Sequence, residues 1–234
     1  MICGLQKMTL LDYPGKVACT VFLGGCNFRC PFCHNSELFM GKPQKLMENE
    51  EFFAFLEKRK GLLDGVCVSG GEPTLYKDLP VFLAKIKAMG FAVKLDTNGG
   101  RPEVLKDLLE KNLVDYVAMD VKNSPDRYAQ TVGLETINLD PIEESLRLLI
   151  SGEIPYELRT TLVAQLHDKA SIQDMGAWLS ALVPGKGVEK LFLQSFVDRD
   201  TVLFAGLSAP EADTVAEFAK ILAPFVGTVT IRNP

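Results

Sequence analysis

Short apolar runs alternate with amphipathic stretches from one end of the chain to the other. The runs 17–23 (VACTVFL), 65–69 (GVCVS), 91–96 (FAVKLD), 115–120 (DYVAMD), 156–164 (YELRTTLVA) and 188–196 (VEKLFLQSF) read as strands. Helical patterns fill the gaps at about 50–60, 78–89, 102–112, 141–151 and 171–183, and a last helix near 210–223 leads into a terminal strand, VTIR. Strict alternation of strand and helix predicts parallel pairing with right-handed crossovers. Asp140-Pro141 and Ser171 read as helix starts.

Side-chain alternation then separates the two folds that such a pattern allows. Lys94, Asp96 and Asn98 share one strand face, as do Ala118, Asp120 and Lys122, and also Glu157, Arg159 and Thr161. A strand covered by helices on both faces should be apolar throughout. Polar faces from several strands instead line a common lumen that holds a ligand. The expectation is an α/β fold, a partial (β/α)6 TIM-like barrel. No repeat, low-complexity tract or flexible linker interrupts the chain. A single domain over 1–234 is expected, with a core at about 16–200 and a C-terminal helix and strand over 210–234.

The 234 residues are 47% hydrophobic and 24% charged, which excludes disorder, collagen and coiled coil. A net charge of −5 argues against nucleic acid or anionic lipid as a partner. The start, MICGLQKMTL, has no signal-peptide pattern, and no apolar run is long enough to span a membrane, so a cytoplasmic location is expected.

All six cysteines (3, 19, 26, 30, 33 and 67) lie in the first third of the chain, which favours metal or redox chemistry over a disulfide scaffold. Cys26, Cys30 and Cys33 directly follow the first predicted strand, where barrels keep their chemistry. A structural zinc site takes four ligands. Here there are three, and His34 adjoins Cys33 too closely to chelate the same ion comfortably. An iron–sulfur cluster normally takes four thiolates, so three at this spacing point to a cluster with one open iron. Cys3, Cys19 and Cys67 read as small buried hydrophobes.

The C-x3-C-x2-C spacing, with Phe32 before the third cysteine, resembles the signature of the radical S-adenosylmethionine enzymes. LDYPG (11–15), GGCNFRCPFCHN (24–35), SGGEP (69–73), LDTNGG (95–100), VAMDVK (117–122) and RTTLV (159–163) resemble one branch, the glycyl-radical-enzyme activating enzymes. The form LDYPGK is more similar to the anaerobic ribonucleoside-triphosphate reductase activating type than to the pyruvate formate-lyase type, which has Gly at the Tyr13 position.

That resemblance implies a 4Fe-4S cluster on Cys26, Cys30 and Cys33, with S-adenosylmethionine on the open iron. It implies contact of Gly70, Gly71 and Glu72 with the methionyl amino group, and packing of Phe32 by the adenine, where a core role is the alternative. Asp96 and Asn98, and Asp120 and Lys122, end two strands and would face the cofactor. Helix capping or an ordinary turn is the plainer reading of Asp96, Asn98 and Asp120. By the same resemblance, Asp96, Asp120 and the Ala118 carbonyl could bind a monovalent cation. Arg159 needs an anionic partner: Glu157, Asp120 or the cofactor carboxylate. Asp12 is either a turn residue or a contact for the partner's glycyl loop. His34 and Asn35 are read as loop structure, and His167 as a surface residue. Where some activases carry a histidine near the cofactor, this chain has Gln194-Ser195-Phe196-Val197.

The implied function is reductive cleavage of S-adenosylmethionine to a 5′-deoxyadenosyl radical that abstracts hydrogen from a glycine of a partner glycyl-radical enzyme. Reduced flavodoxin or ferredoxin would donate the electron, because no further cysteine cluster is present. Two alternatives remain open at this point. One is a radical enzyme acting on a small molecule, in the manner of 7-carboxy-7-deazaguanine synthases. The other is a non-enzymatic iron–sulfur electron carrier.

Overall fold

The computed structural model describes residues 1–40 and 44–232. It is an α/β structure whose eight strands follow chain order across a mostly parallel sheet. The chain divides into two compact units, Met1–Asn27 with Asn35–Ala118, and Phe28–His34 with Met119–Pro234. The last two residues of the helix and strand expected over 210–234 lie outside the described residues.

The first unit contains β1 (Ile2–Thr9), β2 (Ala18–Leu23), α1 (Asn49–Glu57), β3 (Gly65–Gly70), α2 (Leu79–Ala88), β4 (Ala92–Thr97), α3 (Pro102–Glu110) and most of β5 (Tyr116–Asp120). Strands β2, β3 and β4 are parallel, and their register places Thr20 opposite Cys67 and Cys67 opposite Lys94. The helix side of this sheet is packed by α1 and α2, whose Phe52 and Phe82 rings stack with centroids 5.5 Å apart. Strand β1 departs from the expected alternation. It pairs antiparallel with β2. Only its end residues Ile2 and Thr9 are buried, so ICGLQKMT shows none of the period-two pattern that marks a half-buried strand.

The second unit contains α4 (Pro125–Thr131), α5 (Asp140–Ser151), β6 (Tyr156–Leu162), α6 (Lys169–Ala181), β7 (Val188–Ser195), α7 (Ala212–Leu222) and β8 (Val226–Arg232). Strands β6, β7 and β8 are parallel. Helix α4 was not foreseen, because the polar PDRYAQT buries only Tyr128 and Thr131. Pro125 opens it, which suits a first-turn position that has no intrahelical acceptor to serve. Helix α6 starts two residues earlier than its pattern implies. Asp168 is the N-cap, accepting from Ser171 N–H at 2.8 Å, while Ser171 Oγ accepts from Asp168 N–H at 3.1 Å. Ser171 is thus the N3 residue of a capping box and not the cap itself.

Among the described residues, no helix is long and apolar enough to cross a membrane.

Replacing Asp168 by Ala removes the acceptor for an otherwise unpaired helix N–H. This should lower the unfolding free energy by about 1 kcal/mol, read as a lower midpoint in urea or thermal unfolding.

Candidate active site

Cys26, Cys30 and Cys33 lie on the segment that leaves β2. Cys26 belongs to the first unit, where it is half-buried. Cys30 is buried and Cys33 half-buried in the second. None of the six cysteines is in a disulfide. Cys19 and Cys67 are buried as expected, whereas Cys3 is half-exposed. Burial pushes the Cys19 thiol up to about 12.

In the first unit the turn after β3 closes on the segment leaving β2 through the backbone. Gly71 N–H donates to Leu23 O at 2.9 Å and Glu72 N–H to Gly25 O at 2.8 Å. A Cβ on Gly70 would sit 2.3 Å from Leu23 O, and one on Gly71 2.1 Å from Gly25 O. Gly70 also has φ +124°, a conformation that favours glycine. The two glycines of SGGEP are therefore required by the approach of one strand end to another. Asn35 Nδ2 donates to Gly70 O at 2.9 Å, which gives Asn35 a structural task.

Glu72 binds this arrangement together from inside. Its carboxylate is 1% exposed and accepts from Thr74 N–H, the Thr74 hydroxyl, the Thr97 hydroxyl and Asn98 N–H, at 3.1, 2.6, 2.8 and 2.6 Å. Burial pushes the carboxyl up from its ordinary range, and those donors oppose the rise. Asn98 extends the brace, donating from Nδ2 to Asn27 Oδ1 at 2.8 Å and accepting from Gly100 N–H at 2.9 Å. The side chains of Glu72 and Asn98, predicted to face the cofactor, are spent on holding loops. On β3 and β4, Ser69 Oγ donates to Asp96 Oδ2 at 3.0 Å, and the buried Lys94 ammonium pairs with Asp96 Oδ1. Asp12 accepts from the Thr20 hydroxyl.

In the second unit Asp120 takes one cation on each oxygen. Arg159 Nε donates to Oδ1 at 3.0 Å and Lys122 Nζ to Oδ2 at 2.9 Å. Of the partners open to Arg159 in the sequence, Asp120 is engaged, while Glu157 takes both terminal nitrogens of Arg232, at 3.0 and 2.8 Å. Burial alone would raise the Asp120 carboxyl, but Arg159 and Lys122 outweigh it and hold the group well below the usual carboxylate range. Burial alone would lower Lys122, but the charge of Asp120 holds it above the ordinary lysine range. Lys122 Nζ also stands 6.0 Å from the centre of the buried Phe32 ring.

The cysteine segment of this unit is held near both of its ends. Arg29 N–H donates to Val132 O at 2.8 Å, and Gly133, at φ +69°, brings its backbone so close that a Cβ would meet Arg29 O at 2.2 Å. The His34 imidazole bonds to Val197 O at 2.6 Å and stacks on Phe196, rings 5.6 Å apart. His167 is the clear miss of the sequence reading. It is buried rather than at the surface, and its Nε2 bonds to the Lys122 carbonyl at 2.9 Å while Nδ1 accepts from Val163 N–H at 3.1 Å. Polar neighbours in sequence hid a residue that positions the backbone of Lys122.

Three thiols outside any disulfide suit iron. Among the described residues, no three His, Cys, Asp or Glu side chains converge where one metal ion could sit. Thiolates of an iron–sulfur cluster bind different irons of one cube, so they stand farther apart than the ligands of a single ion.

Residues 20–175 match the family model described as Radical SAM superfamily. The chain belongs to that family. It is accordingly an enzyme, and membership implies a 4Fe-4S cluster and S-adenosylmethionine. A Methanocaldococcus jannaschii protein named as a glycyl-radical enzyme activating enzyme is 34% identical, over all of this chain and 96% of the relative. The pyruvate formate-lyase-activating enzyme of Listeria monocytogenes is 28% identical over 93% of this chain and 94% of its own. Among solved structures, Streptococcus suis SuiB bound to S-adenosylmethionine aligns with a TM-score of 0.68 at 9% identity, covering 92% of this chain and 51% of SuiB. That likeness carries the fold, and the expected α/β partial barrel stands.

Two variants test the wiring of the radical SAM site. Glu72→Gln turns an amide N–H₂ toward at least one of the four donors, and should cost about 1–3 kcal/mol of stability, seen as a lower unfolding midpoint. For Asp120, a depressed folded pKa contributes stability that is complete above the unfolded value, about pH 4, and is lost as pH falls below it. Asp120→Asn should therefore flatten the fall in unfolding free energy below about pH 4, measured by urea unfolding across pH.

Proposed function

We propose that this radical SAM protein is a glycyl-radical-enzyme activating enzyme, acting as one domain in the cytoplasm. The observation that carries the reading is the Cys26-x3-Cys30-x2-Cys33 segment leaving β2 in a chain that matches an activating-enzyme relative over its whole length. Cys26, Cys30 and Cys33 would each hold one iron of a 4Fe-4S cluster, the fourth being left for S-adenosylmethionine. When bound, this pair supplies a one-electron cleavage yielding a 5′-deoxyadenosyl radical, which takes hydrogen from a glycine α-carbon of the partner.

The chain's own residues bind, orient and exclude water. The Gly70-Gly71 turn, held on Leu23 and Gly25 and braced by Glu72 and Asn98, presents backbone to the methionyl group. Lys122 and Arg159, each fixed by Asp120, present cationic hydrogen-bond donors suited to a carboxylate. Phe32 offers an apolar face for the adenine. Asp12 is the candidate contact for the partner's glycyl loop. An anaerobic ribonucleoside-triphosphate reductase or a related glycyl-radical enzyme is the proposed substrate, and reduced flavodoxin or ferredoxin the electron donor.

The test is anaerobic. Protein reconstituted with iron and sulfide, reduced and given S-adenosylmethionine should release 5′-deoxyadenosine, detected by mass spectrometry. With the right partner it should also produce a glycyl radical visible by electron paramagnetic resonance. Cys30→Ala should abolish both signals. Release of 5′-deoxyadenosine with a glycyl radical on no candidate enzyme would favour a small-molecule substrate. An intact, reducible cluster giving no product even with partners present would favour an electron carrier.

A further inference from the structure

Lys94 is 1% exposed, in the middle of β4, and the sequence places it with Asp96 and Asn98 on one polar strand face. An ammonium cannot be left in such a place without an anion, because stripping it of water is costly. Asp96, two residues on and therefore on the same strand face, supplies that anion. The two side chains are 1% and 14% exposed. The second Asp96 oxygen accepts from Ser69 Oγ at 3.0 Å, and Lys94 Nζ lies 3.8 Å from the sulfur of Cys67, its neighbour in the β3–β4 register. The carboxylate thus has an ammonium on one oxygen and a hydroxyl on the other.

Asp96 and Asp120 are the carboxylates that the resemblance offers to a monovalent metal ion, and this chain engages both with cations of its own. Asp120, within its unit, is held between Lys122 and Arg159. A bound alkali ion needs oxygen donors of net negative charge. An ammonium already in contact with the same carboxylate neutralises that charge and repels a second cation, more strongly where water is excluded. These residues do not fit a metal ion.

We infer that Lys94 is the resident cation of Asp96: a covalently attached ammonium that neutralises and orients this carboxylate, so that the protein neither binds nor needs a monovalent metal ion. Lys94 is a positioning residue here. The inference rests on the proposed binding of S-adenosylmethionine only for its second measurement.

The first measurement uses the wild-type protein with its cluster reconstituted and S-adenosylmethionine present, in equilibrium dialysis against radioactive rubidium. The expected result is no stoichiometric retention, and one rubidium ion held per chain would overturn the inference. The second compares affinity for S-adenosylmethionine in potassium chloride and in choline chloride of equal ionic strength. Wild type should bind equally in both. Lys94→Met, of similar length and no charge, should bind about tenfold more weakly in choline chloride and recover in potassium chloride. Equal binding by Lys94→Met and wild type in choline chloride would also overturn the inference. Thermal unfolding of each variant reports its folding, and the rubidium measurement on wild type decides the matter if Lys94→Met does not fold. Failure to bind S-adenosylmethionine in either salt would count against the proposed function, and rubidium retention would still decide the role of Lys94.

Discussion

A charge withdrawn from water among packed strands must bring its counter-charge with it, and much of this molecule is arranged around that requirement. Lys94 is matched by Asp96, Asp120 by Lys122 and Arg159, and Glu157 by the terminal nitrogens of Arg232. Each pairing joins residues whose side chains the strand pleat has turned to one face, or brings a later strand to an earlier one. The polar faces that argue for a lumen are therefore also a set of ion pairs. Each side chain in these pairs is held in one orientation by its partner.

Loop positioning follows a second physical rule, the close approach of backbone to backbone. Gly70 and Gly71 rest on Leu23 and Gly25, and Gly133 rests on Arg29. Main-chain bonds to Leu23, Gly25 and Arg29 are joined by side-chain bonds from Asn27 and His34, while Glu72, Asn98 and Asn35 satisfy N–H and C=O groups of the loops.

The same rules explain what the sequence concealed. His167 is a polar residue with polar neighbours nearby in the chain, and only its three-dimensional partner, the Lys122 carbonyl, shows why burial is tolerated. Strand β1 buries so little of its length that no periodicity records it. The N-cap of α6 went to Asp168 in place of Ser171, since a capping box uses both residues and only geometry says which is first.

The sequence by itself determined the alternation of β2–β8 with helices, the cysteine spacing and the branch of chemistry, because periodicity and short motifs are local properties of the chain. It also listed the partners of Arg159, though it could not choose among them. Tertiary structure showed Arg159 engaged with Asp120 and decided the burial of His167 and the inward commitment of Glu72 and Asn98. Each depends on which residues of distant segments meet, and on the cost of leaving a buried charge or hydrogen-bonding group without a partner.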